Sequence, residues 1–365
     1  MTTATLDDVL HEATRLAAEN AAASDREHCA RVPDTLARFA EIGALALGVD
    51  REGDDISPFA TLLRAVAGEC LSTAFSLWAH RMVIEYLRDS DAPAARVWVD
   101  DLVAARRVGS IAMATALQEL AGLGSVPTIA RPDGTGGYIA SGRIAWASNV
   151  GPGTLVLFPA RVANETADPD RGERVLLVAT VGDEGFTTCP VEDLLALGST
   201  QSSMLVFENV AVPSTHVIAQ SLDACRTQRG THLLLQTAFC LGLADRSLLE
   251  AATKTEGPNR VLVGEFERLR GQKDALSRRF DALTSDPIER QRGDITLLRY
   301  EAARLATAAS RLEVTLTGGR GYVTTSDANR RLREAAFLPV QSPSEVHLLW
   351  ELENLGVPVA AAAGI

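Results

Sequence analysis

The chain has 365 residues, 46% of them hydrophobic, and a formal net charge of −12 at pH 7. That is enough apolar sequence for a large core in two or three domains. Mixed acidic and basic residues argue against a nucleic-acid surface and for a soluble protein. No apolar run reaches the ~18–20 residues that span a bilayer. The five cysteines are odd in number and form no CxxC pair, so neither a disulfide framework nor a zinc site is expected, and the implied compartment is a reducing cytoplasm.

The N-terminal stretch "MTTATLDDVLHEATRL" lacks a basic segment followed by an apolar one and reads as an amphipathic helix, not a signal peptide. Apolar residues keep a helical spacing to about Arg107, as in Leu36, Phe39 and Ala40, then Leu63, Val66 and Ala67. Residues 1–107 are therefore expected to form a helical domain. From Val108 to Val217 short branched runs predict strands: "TLVLFPARV", "RVLLVATV" and "SMLVFENVAVP". In "GGYIASGRIAWAS" the Ser141-Gly142 pair predicts a β-hairpin turn. Residues 108–217 are thus expected to be a β domain. Beyond it, Ile295, Leu298, Ala302, Leu305, Ala309, Leu312 and Leu316 advance in steps of three and four, as in the seam of a helix bundle spanning 218–365.

This order of helical domain, β domain and helical bundle, together with five local motifs, resembles the acyl-CoA dehydrogenase family. "EIGALALGV" is similar to that family's "ELGLLGLGVP", and "GGYIASGRIAWASNV" to its "GGYxLNGxKxWITNA". "GSTQSSMLVFENVAVP" resembles "GSxTxxLxFxDVxVP", "CLGLADRSLLEAA" resembles "ALGIAxAALDxA", and "GGRGYVTTSDANRRLREA" resembles "GGxGYxxExPxxRxxRDA". Each motif is weak alone; five in the right order, from about Glu41 to Glu353, are specific.

The resemblance implies a mostly α fold with a central β domain, FAD as cofactor, and a homodimer or homotetramer. It implies no nucleic-acid or membrane partner. Flavin chemistry needs hydrogen-bond donors at the ring edge and backbone N–H groups at the pyrophosphate. The family's flavin-covering Trp and Thr fall on Trp146 and Ser148, and its pyrimidine-edge loop on Met113 to Thr115, though "ALQELAGLGS" after it is longer than the usual segment and Val126 replaces an acidic residue. Gly318 and Gly319 match the pair that approaches the dinucleotide of a neighbouring subunit, and Ser344 a Thr near the adenosine. The family's pyrophosphate arginine should fall near Asn259, where Arg260 is a substitute.

The family's carboxylate base maps to Ser342, which cannot accept a carbon-bound proton. The alternative base position, ten residues before Gly242, is His232, an expected base near neutral pH. His80 in "SLWAHRM" is a second catalytic candidate, against an ordinary role at the edge of the core. Glu345 is expected at a capped helix start, and Arg330, Arg331 and Arg333 on a solvated face, with Arg333 matching a structural arginine of the family. Together these predict a flavin-dependent oxidoreductase with a divergent base, acting on an acyl thioester or a related small substrate. The alternatives are a flavin monooxygenase on the same fold and a non-catalytic binding or assembly subunit.

Overall fold

In the computed structural model, which describes residues 5–27, 31–50, 55–163, 172–285 and 292–359, Thr5 starts the first helix. Its hydroxyl caps the Asp8 N–H while the Asp8 carboxylate accepts from the Thr5 backbone, so two otherwise orphaned donors are satisfied reciprocally. Helices α1 (Leu6–Ala22), α2 (Val32–Glu41), α3 (Ser57–Glu69), α4 (Leu71–Arg88) and α5 (Ala95–Val103) follow in turn. Leu71 to Leu87 of α4 are all buried, as expected of a helix surrounded by protein on every side.

Eight strands then form one mixed sheet: β1 (Gly109–Ile111), β2 (Ile129–Pro132), β3 (Tyr138–Ala147), β4 (Leu155–Val162), β5 (Arg174–Thr180), β6 (Phe186–Pro190), β7 (Ser203–Val212) and β8 (Val217–Ala219). A short helix, α6 (Ala114–Leu120), leaves the end of β1. The strand order is β6-β7-β3-β2-β4-β5-β8, with β1 pairing β4 in parallel. The aromatic rings of Phe158, Phe186 and Phe207 stack inside the sheet's own core. The hairpin expected at Ser141-Gly142 does not form. Instead β3 runs through it with a bulge against β7, where Gly142 has φ +137° and a Cβ would lie 2.9 Å from Thr128 Cα. That close approach, and not a chain reversal, is what the glycine serves.

The remaining helices are α7 (Asp223–Thr227), α8 (Arg229–Ala252), α9 (Val263–Ser285), α10 (Arg292–Thr317), α11 (Asp327–Ala335) and α12 (Glu345–Asn354). α10 carries the apolar seam read from the sequence. α8 packs on α3 so closely that a Cβ on Gly242 would sit 2.0 Å from the Arg64 carbonyl oxygen. The Asn149 side chain ties helices to sheet, donating to the carbonyls of Ser76 on α4 (2.8 Å) and Gly109 on β1 (3.2 Å).

The arginine run of α11 is not a solvated face. Arg330 and Arg331 are buried, paired with Glu334 and with Glu313 of α10, and Arg333 reaches back to Asp25 near the start of the chain. The partners of Arg331 and Arg333, distant in sequence, bury charge that periodicity alone assigns to water.

Candidate active site

His232 lies in the first turn of α8, in the core rather than in solvent, at 3% exposure. Its ring meets Trp78 of α4 edge-on, with centroids 5.0 Å apart. One turn further, Gln236 is held in a fixed orientation. Its Oε1 accepts from Arg299 Nε of α10 at 3.2 Å, and its amide nitrogen donates to the Ser342 carbonyl at 2.9 Å. The same amide nitrogen lies 3.1 Å from His232 Nε2. An amide NH₂ can only donate, so His232 Nε2 accepts and the ring proton resides on Nδ1.

Burial, then the nearby Arg229 charge, push the His232 pKa down to about 3. The imidazole is thus neutral at physiological pH, with its one lone pair already used. As placed, His232 offers its Nδ1–H as a hydrogen-bond donor. Its Nδ1, the indole nitrogen of Trp78 and the Ser342 hydroxyl are buried and have no partner among the described residues. Buried polar groups are normally paired, so each of the three has a hydrogen bond left to give to a ligand or an ordered water.

Ser342 itself offers no basic form, and among the described residues no unpaired buried carboxylate is available to serve in its place. Four carboxylates are buried among the described residues, Glu85, Glu313, Glu334 and Glu351, and each faces an arginine. Glu345 pairs with Arg304 at 3.2 Å.

His80 is bound to backbone on both sides. Its Nε2 lies 3.0 Å from the Leu102 carbonyl and its Nδ1 accepts from the Gly109 N–H at 3.0 Å. With both nitrogens on backbone and burial lowering its pKa to about 4, it links α4 to α5 and β1.

The expected flavin-contacting residues fall in two places. Ser110 on β1 donates to the Ser148 carbonyl at 2.6 Å, so the start of the Met113–Thr115 loop and the end of β3 are neighbours. Met113 is buried, and the Thr115 hydroxyl is buried with no partner among the described residues. Trp146 leaves 57% of its surface exposed, and the Ser148 hydroxyl contacts that of Ser202 at 2.9 Å. An exposed indole and a hydroxyl with a bond left to give are the kinds of group that an aromatic, hydrogen-bonding ligand such as flavin can use.

Gly318 and Gly319 lie at the end of α10, and a Cβ on either would meet nothing within 4 Å of its own chain. Gly318 needs glycine for its φ of +66°; Gly319 is not constrained in that way. Asn259 donates to the Leu316 carbonyl at 3.0 Å, which binds the neighbouring turn to this end, and Arg260 is exposed. The Ser344 hydroxyl caps α12 by accepting from the His347 N–H at 3.3 Å, so a role toward a cofactor competes with a structural one.

Sequence reasoning missed Gln236, Trp78 and Arg299. Gln236 left a trace, as a polar residue inside the apolar run "LLLQTAFCLG" and four residues from His232. The other two reach the cluster from separate helices and left none.

No family model matches the chain. It is 22% identical over 357 residues to the short-chain specific acyl-CoA dehydrogenase of mouse mitochondria, covering 90% of this chain and 84% of that protein. Its fold matches the butyryl-CoA dehydrogenase of Megasphaera elsdenii with a TM-score of 0.84 at 17% identity, over 97% of this chain and 98% of the other. It also matches KijD3, solved with FMN and a dTDP-linked amino keto sugar, with a TM-score of 0.75 at 21% identity, over 97% and 94%.

Proposed function

We propose that this chain, a relative of the acyl-CoA dehydrogenases by sequence and by fold, is a flavin-dependent oxidoreductase that works without a carboxylate base. The observation that carries the proposal is the full-length likeness in sequence and fold, joined to the fit of Thr115, Trp146 and Ser148 to a flavin ring. When bound, flavin supplies the electron-transfer chemistry. The residues of this chain do the rest. Trp146 covers the ring, the Thr115 and Ser148 hydroxyls orient its edge, and the glycine pair receives the dinucleotide of a partner subunit.

In the buried cluster, the Nδ1–H of His232, the Trp78 indole N–H and the Ser342 hydroxyl hold a substrate oxygen, such as a thioester carbonyl, and favour negative charge on it. Preorganised donors in a dry pocket act most strongly where charge develops. Gln236 and Arg299 are positioning residues that keep His232 in its donor tautomer.

A second reading, an oxygen-using flavoprotein, is favoured by one observation: among the described residues every buried carboxylate faces an arginine, and the His232 lone pair is used by Gln236, so removing a carbon-bound proton has no evident agent. The likeness to KijD3, solved with a nucleotide-linked sugar, accords with chemistry outside fatty-acyl oxidation. Flavin-loaded protein separates the readings. Bleaching of oxidised flavin by an acyl-CoA under anaerobic conditions supports dehydrogenation, and substrate-dependent oxygen uptake by the reduced form supports oxygenation. Protein that takes up no flavin contradicts both and leaves the binding-subunit alternative.

A further inference from the structure

Ser148 follows the last residue of β3, and its hydroxyl is the first of three that touch in a row. Ser148 Oγ lies 2.9 Å from Ser202 Oγ, which lies 3.0 Å from Thr200 Oγ1. The Thr200 hydroxyl in turn donates to the Leu197 carbonyl at 2.8 Å. That last bond orients the whole row. A hydroxyl has one hydrogen and two lone pairs, and a carbonyl oxygen can only accept. Thr200 therefore directs its hydrogen at Leu197 and accepts from Ser202. Ser202, with its hydrogen used, accepts from Ser148. The Ser148 hydrogen is thereby committed to Ser202, and only lone pairs remain for anything else that meets this hydroxyl.

The backbone holds the row in place. Leu197 and Gln201 take left-handed backbone, at φ +61° and +50°, on either side of the turn Gly198–Thr200. Residues other than glycine adopt that conformation rarely, and keep it where the surrounding structure over-determines it. The Asn149 and Val150 N–H groups supply that constraint. They donate to the carbonyls of Thr200 and Gln201 at 2.7 and 3.1 Å, which ties the turn to the residues after Ser148. Thr200 is buried, so its hydroxyl keeps the Leu197 carbonyl as its acceptor. The Thr115 hydroxyl, with no partner among the described residues, is free to donate or to accept. At Ser148 the polarity is fixed.

Flavin tells a donor from an acceptor by its own redox state. The ring-edge nitrogen N5 is a bare acceptor in the oxidised ring and carries a hydrogen in the reduced one. A hydroxyl that can only accept hydrogen-bonds the reduced ring, and sets lone pair against lone pair in the oxidised one.

We propose that the Ser148–Ser202–Thr200 row makes this a site that prefers reduced flavin, with Ser148 accepting from the N5 hydrogen and Ser202 as the positioning residue that fixes its polarity. The inference rests on the function proposed above, which sets the Ser148 hydroxyl at the flavin edge. It favours the oxygen-using reading, because the form held more tightly is the one that reacts with oxygen.

The test is the redox potential of FAD bound to the chain, read by anaerobic equilibration with a reference dye. Calorimetric titrations of FAD and of dithionite-reduced FAD into the flavin-free chain accompany it. One neutral hydrogen bond changes the ratio of the two affinities by about threefold to tenfold, or about 15–30 mV for a two-electron couple. Ser148→Ala removes the acceptor, weakens binding of the reduced form and should lower the potential by that amount. Ser202→Ala keeps Ser148 and frees its hydrogen to turn toward N5, so it should lower the potential at least as far. Both serines are only partly buried, and either variant alone gives the sign.

A serine that donated to oxidised N5 would give the opposite sign in Ser148→Ala, so an unchanged or raised potential in that variant overturns the proposal. An unchanged or raised potential in Ser202→Ala overturns it too, because the row then does not set the polarity of Ser148. A chain that binds flavin in neither state defeats the function proposed above and this inference with it. A chain that binds FAD but shows either contrary shift defeats the inference alone.

Discussion

A histidine with a depressed pKa and an occupied lone pair behaves differently from a catalytic base. His232→Ala should lower turnover by about 10²–10³, the range for removing one donor from a preorganised oxyanion site, with flavin still bound. The parent's kcat/KM should show no inflection attributable to His232 between about pH 5 and 8, because its pKa is held near 3. A limb near 6.5 that disappears in the variant would restore the base. Ser342→Ala removes another of the three proposed donors while leaving the carbonyl that Gln236 uses, so it should lower turnover within the same range. The position of His232 was legible through its fixed offset from Gly242. Its chemistry was not, because the tautomer is set by Gln236 and Arg299, and Arg299 arrives from a helix more than sixty residues away.

Helix packing explains the clearest element-level motif. The glycine of "CLGLADRSLLEAA" is where α8 touches the backbone of α3, so Gly242→Ala should force the helices apart and destabilise the chain by about 1–3 kcal/mol or more, measured as a drop in urea midpoint. The two buried histidines make a second prediction. An unfolded histidine binds its proton near 6.5, while folded His232 does so at about 3 and His80 at about 4. Between those values the unfolded chain holds more protons, so stability falls as the pH drops from about 6.5 toward 3, by several kcal/mol in order of magnitude. Urea midpoints at pH 7 and pH 4.5 should differ accordingly, and His232→Asn should flatten the slope; a pH-independent midpoint would contradict the burial of both rings. Strands and long helices were readable because their apolar periods are local. The β3 bulge and the Arg331 pair were not, because Thr128 and Glu313 act on them across the fold.

At the scale of the whole molecule, the shift in texture from helical to branched-strand to helical sequence carried the architecture, and the described strands fall from Gly109 to Ala219 with helices before and after. Assembly is a matter of surface. Val261, Tyr322 and Val323 are exposed apolar side chains around the glycine pair, brought together by the Asn259–Leu316 bond. Covering them with a second copy would complete the flavin site, so the chain should scatter light as a dimer or tetramer at micromolar concentration, and a monomer would count against a shared site. The central claim is flavin binding at that place, and Gly319 tests it with little structural side effect, because a side chain there meets nothing of its own chain. FAD titrated into flavin-free parent protein, followed by the flavin absorbance that co-elutes with it, should reach one flavin per chain, whereas Gly319→Val should lose most of that flavin at an unchanged melting temperature. A parent that retains no flavin, or a variant that retains it in full, would contradict the account.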